Sequence, residues 1–177
     1  MAKIGIIGGT GFTGRTEINS TVKTDYGPIE VGRLGIGGKE VAFVARHGNL
    51  EVPHLVNYRA NIQALKMQGV DKIYAVSAAG RLHESVWPGK VGTITDVDWD
   101  DLDRVMTYAE SGLLLHASMD QPFSEALNSR LHEAWGEIID KVQYIYRNSE
   151  DLQPGFFHSG TYFNIQGPAF TTPAREA

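Results

Sequence analysis

At 177 residues the chain has single-domain length, enough to bury one sizeable core and too short for two. A content of 42% hydrophobic and 21% charged residues is ordinary for a globular protein; the net charge of −5, with the 16 lysines and arginines scattered, leaves no basic stripe for nucleic acid. The absence of cysteine excludes disulfides, a thiolate zinc site and a thiol nucleophile, and suits a reducing, cytoplasmic setting.

The amino-terminal apolar run, 4–7, is too short for a signal-peptide core or a membrane span, so no membrane partner is expected. Residues 3–7 read as a buried strand, rich in isoleucine and stopped by Gly8, Gly9, Thr10 and Gly11. A second apolar run, 41–45, ends at Arg46, His47 and Gly48. A helix is predicted over 56–68, with Ala60, Ile62, Leu65 and Met67 as its apolar or small positions and Gly69 as its stop. Residues 72–77 give a third strand, running into Ala78, Ala79 and Gly80, and 91–97 a fourth. The acidic stretch 96–103 matches no calcium-loop spacing and reads as a solvated loop, so no metal is expected.

The clearest periodic element begins after Ser124, a natural cap, and puts Leu127, Leu131, Trp135, Ile138, Ile139 and Val142 on one helical face. Residues 162–165 read as a last strand before Gly167 and Pro168. Strands alternating with helices predict an α/β fold with a largely parallel sheet, as one domain over 1–177. There is no internal repeat and no low-complexity segment.

Gly9-Thr10-Gly11-Phe12-Thr13-Gly14 fits G-x-G-x-x-G directly after a predicted strand, which raises a dinucleotide-binding reading. That reading needs an amphipathic helix immediately afterwards, because the helix amino terminus holds the pyrophosphate. Residues 15–24 offer only Ile18 and Val22 as large apolar side chains, and Gly27-Pro28 then breaks the chain. A second reading needs no helix: a glycine turn after a strand presents backbone N–H groups and the Thr10 hydroxyl to an anion. A third is a plain tight turn.

Four segments, in order, resemble the methylthioadenosine phosphorylase branch of the trimeric purine nucleoside phosphorylases. They are Ile4-Gly5-Ile6-Ile7-Gly8-Gly9-Thr10-Gly11, Ala45-Arg46-His47-Gly48, Val56-Asn57-Tyr58-Arg59-Ala60-Asn61-Ile62 with Ala64-Leu65, and Gly167-Pro168-Ala169-Phe170. Ala79-Gly80-Arg81-Leu82 followed by Pro88-Gly89, and His116 with Met119 and Pro122-Phe123, fit the family in place.

The resemblance implies a nucleoside phosphorylase-type mixed sheet flanked by helices, a homotrimer, and reversible phosphorolysis of a purine nucleoside. Inorganic phosphate would be the co-substrate, with no cofactor. It implies a phosphate pocket from Thr10, Arg46, His47, Ser77 and the Ala78 backbone N–H. The residue types suit this: Arg46 can bind phosphate through two parallel N–H bonds, and His47 beside it adds a donor. By the same resemblance Phe170 packs against the purine, and His116 reaches a neighbouring subunit's site near the 5′ substituent. Thr171, neutral where enzymes of 6-oxopurines carry a glutamate, tilts the choice towards a 6-aminopurine such as that of methylthioadenosine.

The chain also departs from the family pattern. Ala169 replaces an arginine, Arg175 stands where an acid is expected, Thr95-Asp96-Val97-Asp98-Trp99 replaces an Asp-Gln-Phe-Ile-Asp run, and the loop after Gly48 lacks a basic pair. Family members continue past the point corresponding to Ala177, into a part that holds a Met-Thr segment and the aspartate that helps protonate the purine. These departures raise the alternative of a non-catalytic phosphorylase-fold protein that binds nucleoside or phosphate.

Overall fold

The structure, a computed structural model, describes residues 3–9, 12, 17–47, 52–99, 105, 107–109 and 113–165. The chain divides into two compact units, Met1–Ala79 and Gly80–Ala177.

The first unit is a five-stranded mixed sheet of β1 (Ile4–Gly8), β2 (Glu17–Thr24), β3 (Gly27–Ile36), β4 (Lys39–Ala45) and β5 (Lys72–Val76), in the spatial order β2-β3-β4-β1-β5. β2–β3 and β3–β4 are antiparallel hairpins, whereas β1 runs parallel to both β4 and β5. The α-helix α1 (Tyr58–Met67) connects β4 to β5. Asn57 caps it by accepting from Ala60 N–H at 3.1 Å, and Gly69, at φ +74°, supplies the left-handed stop.

One face of this sheet meets α1. Val22, Val31, Ala42, Val44, Ala64 and Leu65 form the buried cluster, with Ile7, Ile29, Val70 and Ile73 packed against it. Strand alternation sends Ala42 and Val44 to that face and Phe43, only 2% exposed, to the other. On α1 the buried positions are Ala60, Asn61, Ala64 and Leu65, a stripe at helical spacing, while Ile62 and Met67 of the expected apolar set face outward.

The first hairpin was not foreseen. Gly27-Pro28 does not break the chain; it opens β3, with Pro28 opposite Lys23 near the start of the strand, where a missing N–H is tolerated. The strand over 17–24 also occupies the place where a dinucleotide fold needs its helix, which removes that reading.

The second unit holds two short parallel pairs. β6 (Lys90–Gly92) lies beside β8 (Gly155–Phe157), and β7 (Asp96–Trp99) beside β9 (Thr161–Asn164). The expected single strand over 91–97 is therefore two, parted at Thr93–Thr95, where Thr93 and Thr95 N–H groups donate to Phe157 and Gly160 carbonyls. Part of the acidic stretch is strand, not loop: Asp96 and Asp98 point outward from β7 while Val97 is half-buried, and 100–103 lie outside the described residues.

The long helix α2 (Glu125–Tyr146) starts at the expected cap, Ser124, whose hydroxyl accepts from Leu127 N–H. Its predicted apolar face meets β8 through Trp135 and Phe156, ring centroids 5.8 Å apart, but Leu131 and Ile138 are exposed. Over the three sheets there are four parallel and two antiparallel strand pairs, with α1 against the first sheet and α2 against β8, so the described residues have the mixed, largely parallel α/β character expected.

Candidate functional site

Register decides what meets at the carboxyl end of the parallel strands. Gly8 of β1 lies opposite Ala45 of β4 on one side and Val76 of β5 on the other. The three strands thus end level, and the next residue of each leaves the sheet in a row, Gly9 between Arg46 and Ser77. Two backbone bonds continue the ladder into this exit: Arg46 N–H donates to Gly8 C=O at 2.8 Å and Gly9 N–H to Val76 C=O at 3.0 Å. Ligands of α/β sheets bind in this position, outside the carboxyl ends of the strands.

The side chains converge as well. Arg46 Nη1 donates to Ser77 Oγ at 3.1 Å, and Arg46 Nε and Nη2 lie 3.4 and 3.3 Å from His47 Nε2. Ser77 Oγ in turn donates to the Ala78 carbonyl at 3.1 Å. Arg46 and His47 are half-buried, and Ser77 and Ala78 are exposed. A fixed guanidinium beside a rotatable hydroxyl is a set of donors that a tetrahedral oxyanion can satisfy, the guanidinium binding through two parallel N–H groups.

Two glycines make room for this grouping, Gly9 at the start of the G-x-G-x-x-G motif and Gly8 just before it. A Cβ on Gly9 would sit 2.8 Å from Arg46 Nη2, so the guanidinium lies against bare backbone. A Cβ on Gly8 would fall 2.6 Å from the Phe43 ring and 2.8 Å from Phe12 Cβ, so two aromatic residues pack where β1 turns. The supporting role of Phe43 was not read from the sequence, where it was simply one residue of an apolar strand. Its only signal was position, in register with Ile6, two residues before the glycine pair.

Of the other expected site residues, Thr10 and Phe170 lie outside the described residues, as do Ala169, Thr171 and Arg175. His116 belongs to the second unit, exposed in irregular chain. That unit also contains an unforeseen cavity of about 530 Å³ between the start of α2 and the Thr93–Thr95 turn. Asp120, Glu125 and Glu133 line it together with His132 and His158, and no lysine or arginine does, so its formal charge does not favour an anion. Among the described residues no group of three His, Cys, Asp or Glu could hold a metal ion, and no helix is long and apolar enough to cross a membrane.

A mixed sheet whose parallel strands bring an arginine, a histidine and a serine together at their carboxyl ends defines an α/β protein with a cluster of polar side chains at that edge. More specifically, the chain belongs to the phosphorylase superfamily, whose family description matches residues 3–177. It is 38% identical to S-methyl-5′-thioadenosine phosphorylase of Thermococcus kodakarensis over 184 residues, covering 98% of this chain and 65% of that protein. Its identity to the enzyme of the same name from Hyperthermus butylicus is 39%, over 98% of this chain and 61% of the relative. It thus spans less than two thirds of the length of these relatives. Among solved structures, methylthioadenosine phosphorylase of Schistosoma mansoni in its apo form superposes with a TM-score of 0.83 at 27% identity, over 99% of this chain and 68% of that one.

Proposed function

We propose that this chain is a purine nucleoside phosphorylase acting on 5′-methylthioadenosine, with phosphate held by Thr10, Arg46, His47, Ser77 and the Ala78 backbone N–H. The observation that supports the reading best is the level ending of β1, β4 and β5, which puts Arg46 within 3.1 Å of Ser77 and against Gly9 in a member of the phosphorylase superfamily. Phosphorolysis asks little covalent chemistry of the protein. A phosphate oxygen forms a bond to the anomeric carbon as the bond to the purine nitrogen breaks; the electron pair leaves with the base, which takes up a proton, and the products are free purine and a methylthioribose 1-phosphate.

The requirement is therefore to hold an anion in line with a carbon that becomes cation-like. Positioning and preorganised charge supply that. Arg46 neutralises the anion, and its contacts to neighbours on two other strands fix its place before phosphate arrives. Phe170 packs against the purine and His116 serves a neighbouring subunit near the 5′ substituent, in a homotrimer working in the cytosol as a single phosphorylase-like domain. Neutral Thr171 and the names of the relatives support a 6-aminopurine.

Incubation with methylthioadenosine, with and without phosphate, tests this directly. Adenine release that depends on phosphate is the expected result, and its absence refutes the activity. Ala169, in place of an arginine within Gly167-Pro168-Ala169-Phe170, favours a second reading, a relative that binds nucleoside or phosphate without turnover. Calorimetric binding of nucleoside with no product formed would select it.

A further inference from the structure

Three of the four residues Gly8-Gly9-Thr10-Gly11 are glycine. Glycine loses the most conformational freedom on ordering, so side chains within such a turn do little to fix its shape. The described residues on either side supply two contacts that do. Phe12 N–H donates to Gly9 C=O at 3.2 Å, so the chain has turned back on itself by Phe12. The Phe12 side chain then starts directly over Gly8. A Cβ built on Gly8 would meet Phe12 Cβ at 2.8 Å, and Phe43 Cε2 and Cζ at 2.6 and 2.7 Å. The root of one aromatic side chain and the edge of another thus meet over a single bare Cα.

These two side chains belong to different halves of the site. Phe12 is half-buried and follows the turn that contains Thr10, whereas Phe43 lies on β4, three residues before Arg46, and is 2% exposed. Resting on the phosphate reading above, we propose that Phe12 is a positioning residue for the anion. Seated against Gly8 and Phe43, it clamps the glycine turn to β4 and holds the Thr10 hydroxyl in place relative to Arg46 before phosphate arrives. It touches neither phosphate nor nucleoside and acts through the turn. Fixing the turn in advance removes an ordering cost that binding would otherwise meet.

Amide exchange of the intact chain without phosphate tests the clamp itself. In Phe12→Ala the protection of the residue 12 amide should fall at least about tenfold, because its bond to Gly9 C=O opens more often. The Arg46 amide, bonded to Gly8 C=O, should keep its protection. Unchanged protection at residue 12, or a matching loss at Arg46, overturns the proposal. Phe12→Leu refills much of the seat and should stay close to wild type at both amides. Phosphate affinity, read by calorimetry, should fall about tenfold in Phe12→Ala and remain within about threefold of wild type in Phe12→Leu. Steady-state kinetics should show KM for phosphate rising in Phe12→Ala with KM for methylthioadenosine changed less than about twofold, a split that a general loss of packing would not produce. Phosphate binding that survives Phe12→Ala intact counts against the assignment.

In a Thr10→Ala background, Phe12→Ala should cost little further phosphate affinity, because the hydroxyl it positions is gone. Losses that multiply would mean that Phe12 acts by another route, and would overturn the assignment. A wild-type chain that fails to bind phosphate refutes the phosphate reading, and the exchange measurement then decides the clamp by itself.

Discussion

Gly8 and Gly9 are adjacent and chemically identical, yet alanine should act on them in opposite ways. At Gly8 the new methyl would meet the Phe43 ring at 2.6 Å, and that ring is 2% exposed with nowhere to move. Overpacking of this kind costs about 1–3 kcal/mol, so Gly8→Ala should lower the urea midpoint clearly. At Gly9 the nearest atom is Nη2 of Arg46, the far end of a flexible side chain. The guanidinium swings aside, so Gly9→Ala should leave stability within about 1 kcal/mol of wild type while weakening phosphate binding roughly tenfold. If both variants lose stability equally, the proposed placement of Arg46 over Gly9 is wrong. Arg46→Ala completes the set. On the proposed function its guanidinium meets the anion and no part of the nucleoside, so steady-state kinetics should show KM for phosphate rising far more than KM for methylthioadenosine. Matching increases in the two would contradict the assignment.

At the scale of elements, the helix α1 is tied to the first hairpin, and one residue makes both ends of the tie. Asn57 Oδ1 accepts from Ala60 N–H at the helix start, and its Nδ2 donates to Tyr26 C=O at 2.6 Å in the hairpin turn; Asp25 and Gln63 add a reciprocal pair. Asn57→Ala should therefore cost about 1–2 kcal/mol in denaturant unfolding. Asn57→Asp keeps the cap but turns an acceptor towards the Tyr26 carbonyl, and should recover only part of that loss. Full recovery would mean that the tie to the turn contributes nothing.

This helix was legible because its capping residue and its stop are local signals. The hairpin it grips was not. β2 is an edge strand of polar and β-branched residues, irregular between Ile18 and Ser20, which breaks the period-two pattern on which strand recognition depends. β3 does alternate, Ile29 and Val31 inward and Glu30 outward, but Pro28 masked its start. The same distinction governs the site. Arg46, His47 and Ser77 were readable by residue type after each apolar run, whereas their mutual distances follow from strand register and α1 packing, which are long-range and leave no mark in any single window.

For the molecule as a whole, burial is uneven. Every buried hydrophobic residue among those described, from Val22 to Leu65, belongs to the unit Met1–Ala79. In the other unit α2 buries none of its residues, and Leu131, Ile138, Tyr144 and Ile145 are exposed along it. Local opening costs least where few apolar contacts oppose it, so in hydrogen exchange the amides of α2 should exchange well before those of β1 and β4. Phosphate adds a second, sharper expectation. A ligand that binds the folded state alone stabilises it by about 2.7 kcal/mol at a hundred times its Kd, which for a chain of this size raises Tm by roughly 5–10 °C. Because the proposed contacts sit at the ends of β1, β4 and β5, the added protection should concentrate in 4–9, 42–47 and 72–78, with the α2 amides slowed least, and Arg46→Ala should abolish both the protection and the shift. Protection confined to α2, or a thermal shift that survives loss of Arg46, would place the anion elsewhere in the molecule.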